Sequence, residues 1–192
     1  MIRLGIVGDI GSGKSHVSRS FGYPVFSADI EVTKLYKMSK LCFNKINKLL
    51  PKYIISFPIQ KKELSSAIIA NQSNLEKITR IIHPEIKKKM IKFLKKNKNK
   101  KIVILDIPLL LENKLNKKND ILIFVDAKKN EIYKRLKRRK NFNLKLFKKF
   151  KKIQLSLEIK KKKSQFIIKN DFTNKSLKKS VKKTLIKILK ND

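Results

Sequence analysis

Five short, mostly apolar runs, at 2–7, 24–27, 102–106, 121–126 and 166–168, interrupt a chain whose other apolar positions recur at helical spacing. Runs this short and unalternating read as strands buried on both faces of a sheet. Between them the period changes. Val17 and Phe21, four residues apart, predict a helix that Gly22 and Pro24 end. Leu64, Ile68 and Ile69, then Leu75, Ile78 and Ile82, mark helices across residues 30–97, with Pro51, Pro58 and Pro84 as breaks. A helix is expected from about 130 to 140, a mobile helical segment at 141–152, and a lysine-rich amphipathic helix at the end of the chain. Alternating strands and helices predict an α/β fold, a parallel five-stranded sheet covered by helices.

The first strand-to-helix turn carries the strongest chemical signal. Gly8-Asp9-Ile10-Gly11-Ser12-Gly13-Lys14-Ser15 fits the phosphate-binding pattern G-x-x-x-x-G-K-[ST] between a predicted strand and a predicted helix. All five glycines lie in the first 22 residues of a 192-residue chain, so their use is local. They permit backbone N–H groups to curl around an anion. Lys14 is placed to neutralise β- and γ-phosphate charge, and the Ser15 hydroxyl to ligate Mg²⁺.

The length fits one compact domain with inserted subdomains. No apolar run approaches the roughly 18 residues of a membrane span, and the N-terminus enters a strand without a signal-peptide pattern. The reading is cytoplasmic, with no membrane partner. One cysteine, Cys42, excludes an intramolecular disulfide or a cysteine-based zinc site. The net charge is +36. Residues 1–85 carry 13 basic and six acidic groups, residues 86–192 carry 37 and eight. The bases are 44 Lys against six Arg, with only four Ala, the bias an AT-rich coding genome gives any protein. Runs such as Lys87 to Lys89 and Lys160 to Lys163 therefore read as solvated faces, and no dedicated nucleic-acid partner is expected.

Asp106 ends an aliphatic strand, as a Mg²⁺-holding carboxylate does, or caps the next turn. Asp29 also ends a strand, and reads as a general base or as a helix cap. His83 before Pro84 has no nearby ligand set and reads as a helix boundary. Arg135, Arg138 and Arg139 take half the arginines, which points to planar phosphate contacts; Arg135 and Arg139 share a helical face.

Taken together these segments resemble the dephospho-CoA kinase family. Residues 5–15 are similar to its GLTGGIGSGKS loop, Ala28-Asp29 to the end of its D-A-D motif, and Ile82-His83-Pro84 to its H-P pair. Residues 106–112 are similar to its D-(I/V)-P-L-L-x-E segment, and Arg135 and Arg139 fall on its lid pattern. Gln154, Glu158, Lys160 and residues 167–170 match its C-terminal pattern. The resemblance implies transfer of the ATP γ-phosphoryl to the ribose 3′-hydroxyl of dephospho-CoA, the last step of coenzyme A synthesis. It implies a P-loop core (1–29, 98–134, 156–192), a helical CoA-binding region (30–97) and a helical lid at about 135–155. Asp29 would be the general base with Lys14 as its catalytic partner. Gly11, Ser12, Gly13, Lys14, Ser15, His16, Arg135, Arg139 and Asn170 would hold ATP. Ser15 and Asp106 would hold Mg²⁺, while Asp29, His83 and Leu110 would meet dephospho-CoA. A monomer or weak homo-oligomer is expected.

The chain departs from the family at Ser27, Val7, His16, Ser156 and Asp9. An anion at Asp9 repels phosphate unless it turns away. The rival reading is another small-molecule or nucleotide P-loop kinase; a GTPase lacks support because no N-K-x-D or T-K-x-D sequence occurs.

Overall fold

A computed structural model of the protein describes residues 1–139 and 142–190. They fall into two compact units, one of Met1–Ser27, Asn97–Phe142 and Ile153–Asp192, the other of Ala28–Lys96 and Asn143–Lys152.

The first unit is built on β1 (Ile2–Gly8), β2 (Val25–Ser27), β3 (Ile102–Asp106), β4 (Ile121–Asp126) and β5 (Phe166–Lys169). All neighbours pair in parallel, in the order β2-β3-β1-β4-β5. Pleating assigns alternate residues to opposite faces. Leu4, Ile6, Ile104, Ile123 and Ile168 share one core with Val17 of α1 (Lys14–Ser20) and Leu177 and Val181 of α9 (Asn174–Lys190). On the other face Gly5 leaves room for Leu110: a Cβ there would lie 2.7 Å from Leu110 Cδ2 and 2.8 Å from Leu122 Cδ2. The helix α8 (Leu157–Lys162) also packs against β1. Each fully buried leucine or isoleucine contributes about 1.5–3 kcal/mol relative to exposure.

Two buried ion pairs tie this unit together. Arg3 and Asp120 meet at the starts of β1 and β4, with Nε to Oδ1 and Nη2 to Oδ2 both at 3.0 Å. Lys160 Nζ lies 2.8 Å from Glu112 Oε1, an oxygen that also accepts the Leu155 N–H at 2.9 Å. The expectation of a solvated run from Lys160 onward is thus corrected at its first member, which is 2% exposed. Its charge is tolerated in the interior because a partner 48 positions earlier neutralises it.

The second unit contains α2 (Ala28–Met38), α3 (Lys40–Leu49), α4 (Lys61–Ala70), α5 (Gln72–Lys96) and α7 (Leu144–Lys152). Helix α5 packs against α2, α3 and α4, and α7 against α4. Pro84 was expected to break the chain but lies inside α5. Proline removes one N–H donor, yet Ile78, Ile82, Ile86 and Met90 continue one buried stripe through it. That stripe outweighs the lost bond. The segment expected at 141–152 is helical over Leu144–Lys152; its residue 141, like residue 140 at the end of the preceding expected helix, lies outside the described residues. That preceding helix is α6 (Lys129–Lys137), in the first unit.

Helix α4 begins with a reciprocal capping box between Gln60 and Glu63. Glu63 Oε1 additionally accepts the Ser56 hydroxyl at 2.8 Å and the Ser56 N–H at 3.0 Å. Burial alone would raise the Glu63 pKa, but the Ser56 hydroxyl and the Gln60, Ile55 and Ser56 amides hold it below its ordinary value. A carboxylate depressed in the folded state stabilises above its unfolded pKa and loses that contribution as the pH falls through the folded value. Glu63→Ala is therefore expected to cost about 1–2 kcal/mol at neutral pH. The gap from wild type should narrow as the pH falls from about 6 to about 3. Thermal unfolding across that range checks both; a gap that widens in acid contradicts the assignment.

Candidate active site

The C-terminal ends of parallel strands share one edge, and loops leaving that edge form the site in folds of this kind. At that edge of the first unit β1 runs into the loop 8–13. Gly8, Gly11 and Gly13 all have positive φ, +148°, +84° and +92°. At Gly13 the reason is steric as well: a Cβ would collide with Asn170 Nδ2. Gly13 begins α1 without a side-chain cap, and no acidic residue occupies the first turn. The turn thus presents positive backbone potential to an anion.

Lys14 folds over its own loop. Its ammonium donates to Asp9 O at 2.7 Å and Gly8 O at 3.3 Å. Asp9, the departure that threatened repulsion, is 8% exposed, and its Oδ1 accepts the Ile10 N–H at 2.7 Å. Its carboxylate is engaged by the loop backbone. His16 is exposed on α1; its Nε2 lies 3.1 Å from Asn174 Oδ1, and its N–H donates to Gly13 O at 2.9 Å. Both groups are therefore used within the protein. Asp106 ends β3 and is buried, opposite Ser27 in the β2–β3 register.

Asn170 follows β5 and is 3% exposed. Its Nδ2 donates to Ser12 O at 2.8 Å, and its Oδ1 accepts the Phe172 N–H at 3.0 Å. It therefore braces the phosphate loop from beneath. Arg135 is exposed on α6, with its guanidinium carbon 4.3 Å from the centre of the Phe172 ring. Arg139, two residues beyond α6, is exposed. Beside Asn170 lies a cleft of about 670 Å³ between the ends of β4 and β5, lined by Asp126, Lys128, Glu131, Lys169, Asn170 and Asp171.

The remaining expected site residues divide differently. Asp29 does not end a strand: β2 stops at Ser27, and Asp29 is an exposed residue in the first turn of α2. His83 lies on the exposed side of α5, where partial desolvation lowers its pKa, so its imidazole is neutral at neutral pH. Both belong to the second unit. Leu110 was expected to touch substrate; it is 1% exposed and fills the space above Gly5. A side chain so enclosed supports the site by packing instead.

The first unit thus brings Gly11, Ser12, Gly13, Lys14, Asn170 and Arg135 into one neighbourhood. Phe172 joins them unpredicted; an aromatic just past the Asn-Asp pair that follows β5 was the only sequence signal. Hard oxygen donors at Ser15 and Asp106 suit Mg²⁺ held with few protein ligands and phosphate oxygens.

A family model described as Dephospho-CoA kinase matches residues 2–176. The Dephospho-CoA kinase of Bartonella henselae is 37% identical over 129 residues, covering 65% of this chain and 66% of that protein. That of Wolbachia pipientis wMel is 33% identical over 129 residues, with the same two shares of 65% and 66%. The alignments thus span just under two thirds of these relatives' length. A crystal structure from Thermus thermophilus superimposes with a TM-score of 0.79 at 23% identity, covering 98% of this chain and 97% of that one. Dephospho-CoA kinase from Campylobacter jejuni gives 0.62 at 22%, covering 97% and 96%. These two show a shared fold. With a glycine-built phosphate loop at the sheet edge and a family match running through almost the whole sequence, the chain belongs to the dephospho-CoA kinase family.

Proposed function

We propose that the protein is an ATP-dependent kinase that phosphorylates the ribose 3′-hydroxyl of dephospho-CoA, yielding coenzyme A and ADP. The observation that carries this reading is the phosphate loop with Lys14, on a chain that the family model matches over residues 2–176. The loop amides and the Lys14 ammonium hold the β- and γ-phosphates. Arg135 and Arg139 offset charge that builds on the transferred group. Asp29 orients the acceptor hydroxyl and takes its proton as the acceptor oxygen bonds to the γ-phosphorus. The bond from that phosphorus to the bridging oxygen breaks, and ADP leaves. Mg²⁺, when bound through Ser15 and Asp106, supplies Lewis-acid stabilisation of the phosphate oxygens.

In this reading the helices of residues 28–96 take the CoA moiety, with neutral His83 among the contacts, and the chain around 135–155 closes as a lid. Among the described residues no helix is long and apolar enough to cross a membrane, and the reaction belongs in the cytoplasm. The test is incubation of the full chain with ATP, Mg²⁺ and dephospho-CoA, reading CoA by chromatography. AMP, uridine and shikimate serve as competing acceptors, with added RNA as a further arm. CoA formation with the other acceptors inert, and turnover indifferent to RNA, is expected. A different preferred acceptor, or turnover that requires RNA, sinks the reading.

A further inference from the structure

One carboxylate oxygen of Glu112 serves two partners far along the chain. Its Oε1 accepts the Leu155 N–H at 2.9 Å and meets Lys160 Nζ at 2.8 Å. The pair is enclosed, with 10% of the Glu112 side chain and 3% of the Lys160 side chain exposed. A buried ion pair can be exchanged for packed apolar groups at little cost to stability. The bond to Leu155 is of another kind, because it holds a main-chain group in a stretch without regular structure.

That stretch is where the chain returns from the second unit. Helix α7 ends at Lys152, and the first unit resumes at Ile153. Ser156 caps α8, its Oγ accepting the Ile159 N–H at 3.2 Å. Residues 153–155 are thus the whole connection, and Glu112 grips its last member. Within it Gln154 Oε1 is buried without a hydrogen-bond partner among the described residues, so that oxygen does not fasten the connection.

Both sides of the grip are stiff. Beyond α8 the Gln165 N–H donates to Leu122 O at 3.0 Å, and Gln165 Oε1 accepts the Leu122 N–H at 2.7 Å, which ties the helix end to β4. On the other side Leu110 and Leu111 are buried, and Leu109 has a φ of +59°, a left-handed value that bulky side chains avoid. The Asn113 N–H to Leu109 O at 3.0 Å and the Leu115 N–H to Leu110 O at 3.1 Å hold that turn. Strain of this kind persists where the surroundings over-determine it. Asp106 opens the same turn at the end of β3.

We infer that Glu112 is a positioning residue for phosphoryl transfer: its carboxylate, neutralised by Lys160, clamps the Leu155 amide and fixes the root from which the segment 135–155 closes. The root is thereby referenced to the turn that begins at Asp106. Glu112 touches neither nucleotide nor acceptor in this role. It restricts the closed arrangements the segment reaches, which governs rate and exclusion of water rather than resting affinity for ATP. The inference rests on the reading of that segment as the lid of a dephospho-CoA kinase.

Two double variants separate the clamp from the ion pair. Both remove both charges, so neither leaves a buried ion unpaired. E112Q/K160M keeps an oxygen for the Leu155 amide, and E112L/K160M does not. Hydrogen exchange on the full chain should show that amide exchanging about tenfold faster in E112L/K160M than in E112Q/K160M. With ATP and dephospho-CoA, kcat should fall about ten- to a hundredfold in E112L/K160M, with ADP formed in excess of CoA and an unchanged Kd for ATP. E112Q/K160M should stay near wild type and form one ADP per CoA. A pair that only stabilises the fold would lower both thermal midpoints and leave the two ADP-to-CoA ratios alike. Equal kcat in the two doubles, equal exchange of the Leu155 amide, or a Kd for ATP that worsens in step with kcat overturns the proposal. Any of these with an active wild type leaves the kinase reading standing. A wild type that forms no CoA overturns both.

Discussion

Replacing Asp29 by Asn is expected to lower kcat for CoA formation by about 10²- to 10⁴-fold while leaving the Kd for ATP unchanged. The amide matches the carboxylate in shape but cannot accept the hydroxyl proton in the transition state. Its cost to folding is small. Asp29 is exposed in the first turn of α2, where its charge on the helix dipole is worth about 0.3–1 kcal/mol. The Thr33 hydroxyl donates to the main-chain oxygen of residue 29 at 2.8 Å, a bond that survives the change. Steady-state kinetics with calorimetry of ATP binding checks the expectation. A mutant that turns over within about threefold of wild type places the proton acceptor elsewhere.

Lys14→Ala is expected to reduce kcat/KM for ATP by about 10³-fold. Here ground-state and transition-state charge both lose their nearest cation. The wild-type ammonium bonds Asp9 O and Gly8 O, so on the proposed reading its side chain would exchange two carbonyl acceptors for phosphate oxygens. The loop itself should persist without it, since Asn170 and the Gly13 turn hold its far end. The discriminating readout is the rise in thermal midpoint on adding ATP. Wild type should show it and Lys14→Ala should not, each measured from its own free midpoint, which the lost carbonyl bonds lower in the mutant. A mutant that retains the full ATP-induced rise refutes the role of this lysine.

Some of this is legible in the amino-acid sequence alone. The strands β3 and β4 coincide with runs of consecutive aliphatics, because a strand buried on both faces needs no alternation. The phosphate loop declared itself through glycine placed where a side chain cannot fit. The misreadings share one cause, which is distance along the chain. Pro84 carries a local rule against helix, overruled by a buried stripe extending to both sides of it. Lys160 sits in a run of lysines, and only Glu112 decides that it turns inward. Leu110 matched a binding motif, yet the absent Cβ of Gly5 makes it a core residue. Phe172 was invisible because its neighbours, Gly13 and Arg135, are far from it in sequence and near it in space.

Arg3 and Asp120 form a forked pair at the sheet edge away from the phosphate loop. A lysine could neutralise that charge but could not lay a planar fork against the carboxylate. In a chain of 44 lysines and six arginines, the two arginines with a described planar partner are Arg3 on a carboxylate and Arg135 on a ring. Rarity in a biased composition thereby marks geometry rather than charge.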